Sequence, residues 1–76
     1  MEKNYEERKR IGSEIAAIRK SKGMTQQDLA VIVGMERAHI ARIELGKYSV
    51  GLDTLAAIAE AFRMKIKFVP KKDTRV

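Results

Sequence analysis

The sequence predicts an all-α domain of four to five helices followed by one C-terminal β-strand. Apolar residues recur at helical spacing in four stretches, and turn-forming residues separate them, which gives the helices. After Phe62 the spacing changes from a period near 3.6 to a period of 2, which gives the strand. At 76 residues there is room for one domain with a core near the lower limit for independent folding, so stability shared with a partner chain is expected.

In the first helix Ile11, Ile15 and Ile18 form one stripe, Ala16 and Ala17 raise helix propensity, and Lys22-Gly23 ends it. Residues 1–10 are an N-terminal extension that can hold the start of this helix, because Asn4 with Glu7 resembles a capping pair. A start at Tyr5 would place Gly12 inside the helix at a cost of about 1 kcal/mol. The second helix opens at Thr25, with Asp28 three residues on as a capping box, and Leu29, Ala30, Ile32 and Val33 give its apolar face before Gly34 stops it. A third helix fits Glu36 to Leu45, with Ile40 and Ile43 inward and Gly46 just past the end, although Met35-Glu36 supplies no good cap. After the loop from Lys47 to Gly51, the residues Leu52, Leu55, Ile58, Ala59 and Phe62 trace a fourth helix, so 11–63 forms the helical domain.

Met64 to Val69 alternates apolar and polar residues until Pro70, which makes 64–70 a half-buried strand and leaves 71–76 as a flexible polar tail. A lone strand needs a partner for its backbone groups, and nothing else in the chain reads as a second strand. The expected partner is another copy of the chain. Antiparallel pairing across a two-fold axis would make a homodimer in which Met64, Ile66 and Phe68 lie on the helices while Lys65 and Lys67 face water.

The formal charge of +6 and a pI near 9.9 indicate a polyanion partner, nucleic acid ahead of a membrane surface or the ribosome. No cysteine and one histidine, His39, leave no disulfide, no thiolate zinc site and no expected metal or cofactor. Carboxylates are scattered, and no glycine loop that would cradle phosphate is present, so no catalytic residues are assigned and an enzyme is not expected. No apolar run approaches the roughly 18 residues of a membrane span, and a cytoplasmic protein without a small-molecule pocket is expected.

Two short helices around a Gly-containing turn have the size and spacing of a DNA-binding helix-turn-helix. The run Ile18-Arg19, Gly23-Met24-Thr25-Gln26, Leu29-Ala30, Gly34, Ile40, Arg42-Ile43-Glu44, Gly46-Lys47 and Leu52-Asp53-Thr54-Leu55 resembles the XRE family, the Cro and phage-repressor class. The resemblance covers about Ile11 to Phe62 and implies a lambda-repressor-like domain whose third helix enters the major groove of double-stranded DNA.

With Ile40 inward, Ala38 and Arg42 point outward at i and i+4. The family's pattern then implies that Arg37 reaches guanine O6 and N7, that Ala38 meets a thymine methyl, and that Arg42 serves a guanine or a phosphate. Gln26 matches a glutamine that binds phosphate at the start of the second helix, and Lys47 and Tyr48 match the loop that follows the backbone. Tyr48 is equally placed to cover the end of the fourth helix, and His39 lies on the flank of the third for a phosphate or base contact. Arg19 and Glu44 match a pair that forms a salt bridge between the first and third helices.

Three positions depart from the family. Glu36 stands where a small polar cap is usual, and beside DNA it must accept from a cytosine amino group or serve as a cap. Arg63 replaces a glycine after the fourth helix, and the strand replaces the fifth helix, as in antitoxins that dimerise through a C-terminal strand. The resemblance therefore implies a transcriptional regulator, a repressor of its own operon, reading a pseudo-palindromic operator; the alternative is an antitoxin that binds a toxin protein and its operator.

Overall fold

The computed structural model describes residues 4–71 and contains four helices, α1 (Tyr5–Ser21), α2 (Gln26–Val33), α3 (Arg37–Glu44) and α4 (Leu52–Ala61). The expected extension at 1–10 is thus helix from Tyr5 onward, its first three residues lie outside the described residues, and so does the expected tail beyond Lys71.

Helix α1 starts without the expected cap. Asn4 is its N-cap residue but makes no side-chain cap bond, its φ −105° and ψ 17° lying outside the extended region of a capping residue, and the Glu7 carboxylate is taken by Arg10 at 2.8 Å through both oxygens. Helix α2 does have its capping box: the Asp28 amide donates to Thr25 Oγ1 at 2.9 Å, and the Thr25 amide donates to Asp28 Oδ2 at 2.8 Å. The bond from the Thr25 amide, with the Thr25 side chain adding to it, holds the Asp28 carboxyl below its usual range. Glu36 makes no side-chain cap bond to α3, as its side chain predicted.

Ile15, Leu29, Ala30, Ile40, Ile43, Ile58 and Phe62 form the buried core, with Ile11, Ile18, Val33 and Leu55 packed partly against it. Two residues expected in the core are outside it. Ile32 is 58 % exposed because, at about 100° per residue, the inward arc of α2 centres between Leu29, Ala30 and Val33 and leaves Ile32 beside it. Leu52 is 71 % exposed because it opens α4, and a helical side chain leans toward the N-terminus, here past the end of the packed turns.

The packing of α1 on α3 explains a residue that helix propensity disfavours. A Cβ at Gly12 would collide with the carbonyl oxygen of Ile43 and lie 2.7 Å from that of Glu44, so the glycine sets how closely the two helices approach. At the same end Arg8 Nε donates to the Gly46 carbonyl at 3.1 Å. Gly46 has φ 77°, and a Cβ there would meet Lys9 Cα at 2.9 Å.

After α4, Arg63 has φ 62° and the Met64 amide donates to the Ala59 carbonyl at 2.8 Å, turning the chain back along the bundle. The expected strand is not formed within the chain: Met64 to Lys71 has no regular secondary structure among the described residues. A single copy offers this segment no second strand. Met64 and Ile66 line an apolar groove with Ile11, Ile15, Ile58 and Phe62, but Val69 lines it too and Phe68 points wholly into solvent. Without a ladder, strict alternation of faces is not imposed, and in the single chain Phe68 is not packed on the helices; its expected place was in a paired dimer.

Candidate nucleic-acid interface

The interface is assembled by α2, the turn at Gly34, α3 and the loop after it. Ile40 and Ile43 anchor α3 in the core and turn its opposite face outward, with Ala38 near the middle of that face and Arg37 and Arg42 on either side. Arg37, Ala38 and Arg42 are all exposed, as are Glu36 and Lys47. Ala41 shares this outward arc, at i+4 from Arg37, and sequence reasoning did not single it out. Two small residues between two arginines give a shallow strip that a base-pair edge can approach.

Beneath this strip is a chain of polar contacts that begins in the core. Arg19 Nε donates to Glu44 Oε2 at 2.7 Å and Nη2 to Oε1 at 3.2 Å, with side-chain exposures of only 8 % and 6 %. Arg19 Nη1 also donates to the Met24 carbonyl at 2.7 Å. The bond to Glu44 raises the Arg19 pKa beyond its already high value against the opposing effect of burial, so the guanidinium stays charged. The expected salt bridge between α1 and α3 is therefore present as a buried, forked pair.

Glu44 extends the chain outward. Its Oε1 accepts from Gln26 Nε2 at 3.0 Å, and Gln26 Oε1 accepts in turn from Arg37 Nη1 at 3.2 Å. Gln26 and Arg37 are the first residues of α2 and α3, so this contact brings two helix N-termini to one surface, where free amides favour an anion. The family resemblance implied DNA contacts for both Gln26 and Arg37 but carried no sign that they bond each other.

A second cluster surrounds Tyr48. Arg42 Nη1 donates to the Tyr48 hydroxyl at 3.0 Å, and the His39 and Tyr48 rings meet edge-on with centroids 4.6 Å apart. Tyr48 is half-buried against the core, beside α3. Lys47 is exposed on the same loop, its amide donating to the Arg42 carbonyl at 2.9 Å. Met64, Ile66 and Phe68 are apart from this surface, in the segment that folds back along α1 and α4.

A bundle whose second and third helices present their N-termini and two arginines to one surface defines a helix-turn-helix protein. The helix-turn-helix family model matches residues 15–69, and the chain belongs to that family, in the XRE class that its motif resembles. This is a class of DNA-binding regulators and not an enzyme class. The chain is 33 % identical over 66 residues to the immunity repressor protein of Bacillus phage phi105, across 87 % of this chain and 46 % of that protein. It is 34 % identical over 62 residues to the uncharacterized HTH-type transcriptional regulator y4dL of Sinorhizobium fredii, across 82 % of this chain and 32 % of that protein. The chain thus spans less than half the length of either relative.

Among solved structures, the restriction-modification controller protein C.AhdI from Aeromonas hydrophila is similar with a TM-score of 0.79 and 25 % identity, over 83 % of this chain and 91 % of that one. The clp gene regulator ClgR from C. glutamicum shares the fold, with a TM-score of 0.76 and 24 % identity over 78 % of this chain and 76 % of that one.

Proposed function

We propose that the chain is a sequence-specific, double-stranded-DNA-binding transcriptional regulator that reads a pseudo-palindromic operator through α3 and represses transcription in the cytoplasm. The observation that carries this is the Gln26–Arg37 contact at 3.2 Å, which joins the N-termini of α2 and α3 at one exposed surface. Arg37 and Arg42 read base edges, Ala38 and Ala41 leave room for them, Gln26, His39 and Lys47 line the path of the backbone, and Tyr48 stands beside Arg42 on the same surface. Glu36 lies at the N-terminus of α3, where it accepts from a cytosine amino group or keeps other bases away. The repressor among the relatives and the charge of +6 support the same reading. The antitoxin alternative has no observation of its own.

A homodimer belongs to this function, because two copies of α3 must face successive major grooves about 34 Å apart. The unpaired segment 64–70, with Met64 and Ile66 half-exposed and Phe68 fully exposed, supports pairing with its two-fold mate.

Selection from a random duplex pool tests the reading. The wild-type chain should recover one family of sequences, and Arg37→Ala with Arg42→Ala should lose that preference while remaining folded, at roughly 1–3 kcal/mol for each base contact removed. Recovery of the same sequences by the double variant would reject α3 as the reading helix.

A further inference from the structure

Arg42 is held before any DNA arrives. Its Nη1 donates to the Tyr48 hydroxyl at 3.0 Å, and its guanidinium carbon lies 5.6 Å from the centroid of the Tyr48 ring. The ring is itself fixed. It packs partly against the core, and His39, one turn before Arg42 on α3, meets it edge-on at 4.6 Å and 63°. A tyrosine from the loop and a histidine from the helix therefore set where a long, otherwise mobile side chain points. One of five guanidinium N–H groups is engaged, which leaves enough donors for the two that guanine O6 and N7 require.

We propose that Tyr48 is a positioning residue that determines specificity through Arg42, its hydroxyl and ring pre-orienting the guanidinium for a bidentate contact with guanine. This rests on the reading of DNA by α3 proposed above. A free arginine must lose its rotamer freedom when it binds, whereas one already held loses less, so the benefit falls on the base that Arg42 reads. Uniform attraction to phosphate does not depend on that orientation. Tyr48 thus acts on discrimination at one base pair in each half-site and not on general affinity.

Tyr48→Phe is the discriminating variant, because it removes the acceptor while keeping the ring and its contact with His39. The preferred duplex from random-pool selection, and a duplex changed at the base pair that Arg42→Ala ceases to read, are titrated with the full chain. Wild type, Tyr48→Phe, Arg42→Ala and the double variant are compared over a range of salt. Tyr48→Phe should lower discrimination at that base pair by roughly two- to tenfold, the range expected from ordering one long side chain. It should leave the salt slope and the pairs read by Arg37 unchanged, and add nothing in the Arg42→Ala background.

Wild-type discrimination in Tyr48→Phe would overturn the proposal. So would equal weakening on every duplex that persists without Arg42, which would make Tyr48 a direct phosphate contact. If Arg42→Ala leaves selection intact while Arg37→Ala changes it, Tyr48 loses its role but α3 still reads DNA. Only unchanged selection by both arginine variants overturns the wider reading.

Discussion

Arg19 and Glu44 form a forked ion pair at 2.7 and 3.2 Å inside the bundle, and Glu44 carries that pair outward to Gln26. Both side chains are almost wholly out of water, which separates this pair from the exposed Arg10–Glu7 pair on α1. Arg19→Ala should therefore destabilise the fold by about 3–5 kcal/mol, because it leaves the Glu44 charge buried without its main partner. Chemical denaturation measures this. A loss under about 1 kcal/mol is the value of an exposed pair and would mean that Glu44 reaches water.

Gly12→Ala should also destabilise, although alanine is the better helix former by about 1 kcal/mol. The new Cβ meets carbonyl oxygens of Ile43 and Glu44, which are backbone atoms that cannot rotate away. Separating α1 from α3 should cost a net of roughly 1–3 kcal/mol, read as a lower thermal midpoint. A gain in stability would show that the helices can part without loss.

The helices were legible because each has an apolar period and a local stop, and the Thr25–Asp28 capping box is a four-residue signal. The outward Ala38 and Arg42 of α3 followed from its inward Ile40, whereas Arg37 rested on the family resemblance. What was not legible depends on segments distant in sequence. The reason for Gly12 lies thirty residues away on α3, and Arg8 finds the Gly46 carbonyl across the bundle. The failed cap at Asn4 has a local cause: its φ −105° and ψ 17° are not those of a capping residue, and the Glu7 carboxylate that could reach back to its amide is held by the charged Arg10.

Arg63→Gly should stabilise the domain. Arg63 has φ 62°, a left-handed conformation that costs an ordinary residue about 1–2 kcal/mol and glycine almost nothing sterically. Glycine's greater freedom in the unfolded chain offsets part of that gain, so an increase of about 0.5–1 kcal/mol is expected. Denaturation in urea checks it, and an unchanged or lower midpoint would mean that the Arg63 side chain contributes more than its backbone loses.

The Asp28 cap makes stability depend on acid. Its carboxyl titrates below the ordinary aspartate range in the folded chain, chiefly because the charged form accepts from the Thr25 amide. Folding therefore favours the ionised form. The contribution is complete above roughly pH 4, where the unfolded chain is also ionised, and is lost as the pH falls through the lower folded value. Asp28→Asn should reduce stability near neutral pH and flatten its dependence below pH 4. Equal slopes for the two proteins in acid denaturation would show that the cap is not the titrating contact.

A single copy leaves the segment 64–70 without a second strand. In the proposed dimer, pairing of 64–70 with its mate would place the two α3 helices on one face of the duplex, so association and cooperative operator binding should fail together. Ile66→Pro removes one ladder donor and restricts the backbone in the middle of the segment while leaving the composition nearly the same. Every buried apolar residue among the described residues precedes Met64, so the helices should survive the change. Sedimentation equilibrium should report a monomer with helical circular dichroism retained, and operator binding should become weak and non-cooperative. Removing the chain after Arg63 should act in the same direction and also strip Met64 and Ile66 from the groove beside α1 and α4. A dimer of unchanged affinity after Ile66→Pro would put the interface elsewhere, with Leu45 at 60 % exposure and Leu52 at 71 % as the apolar residues to test next.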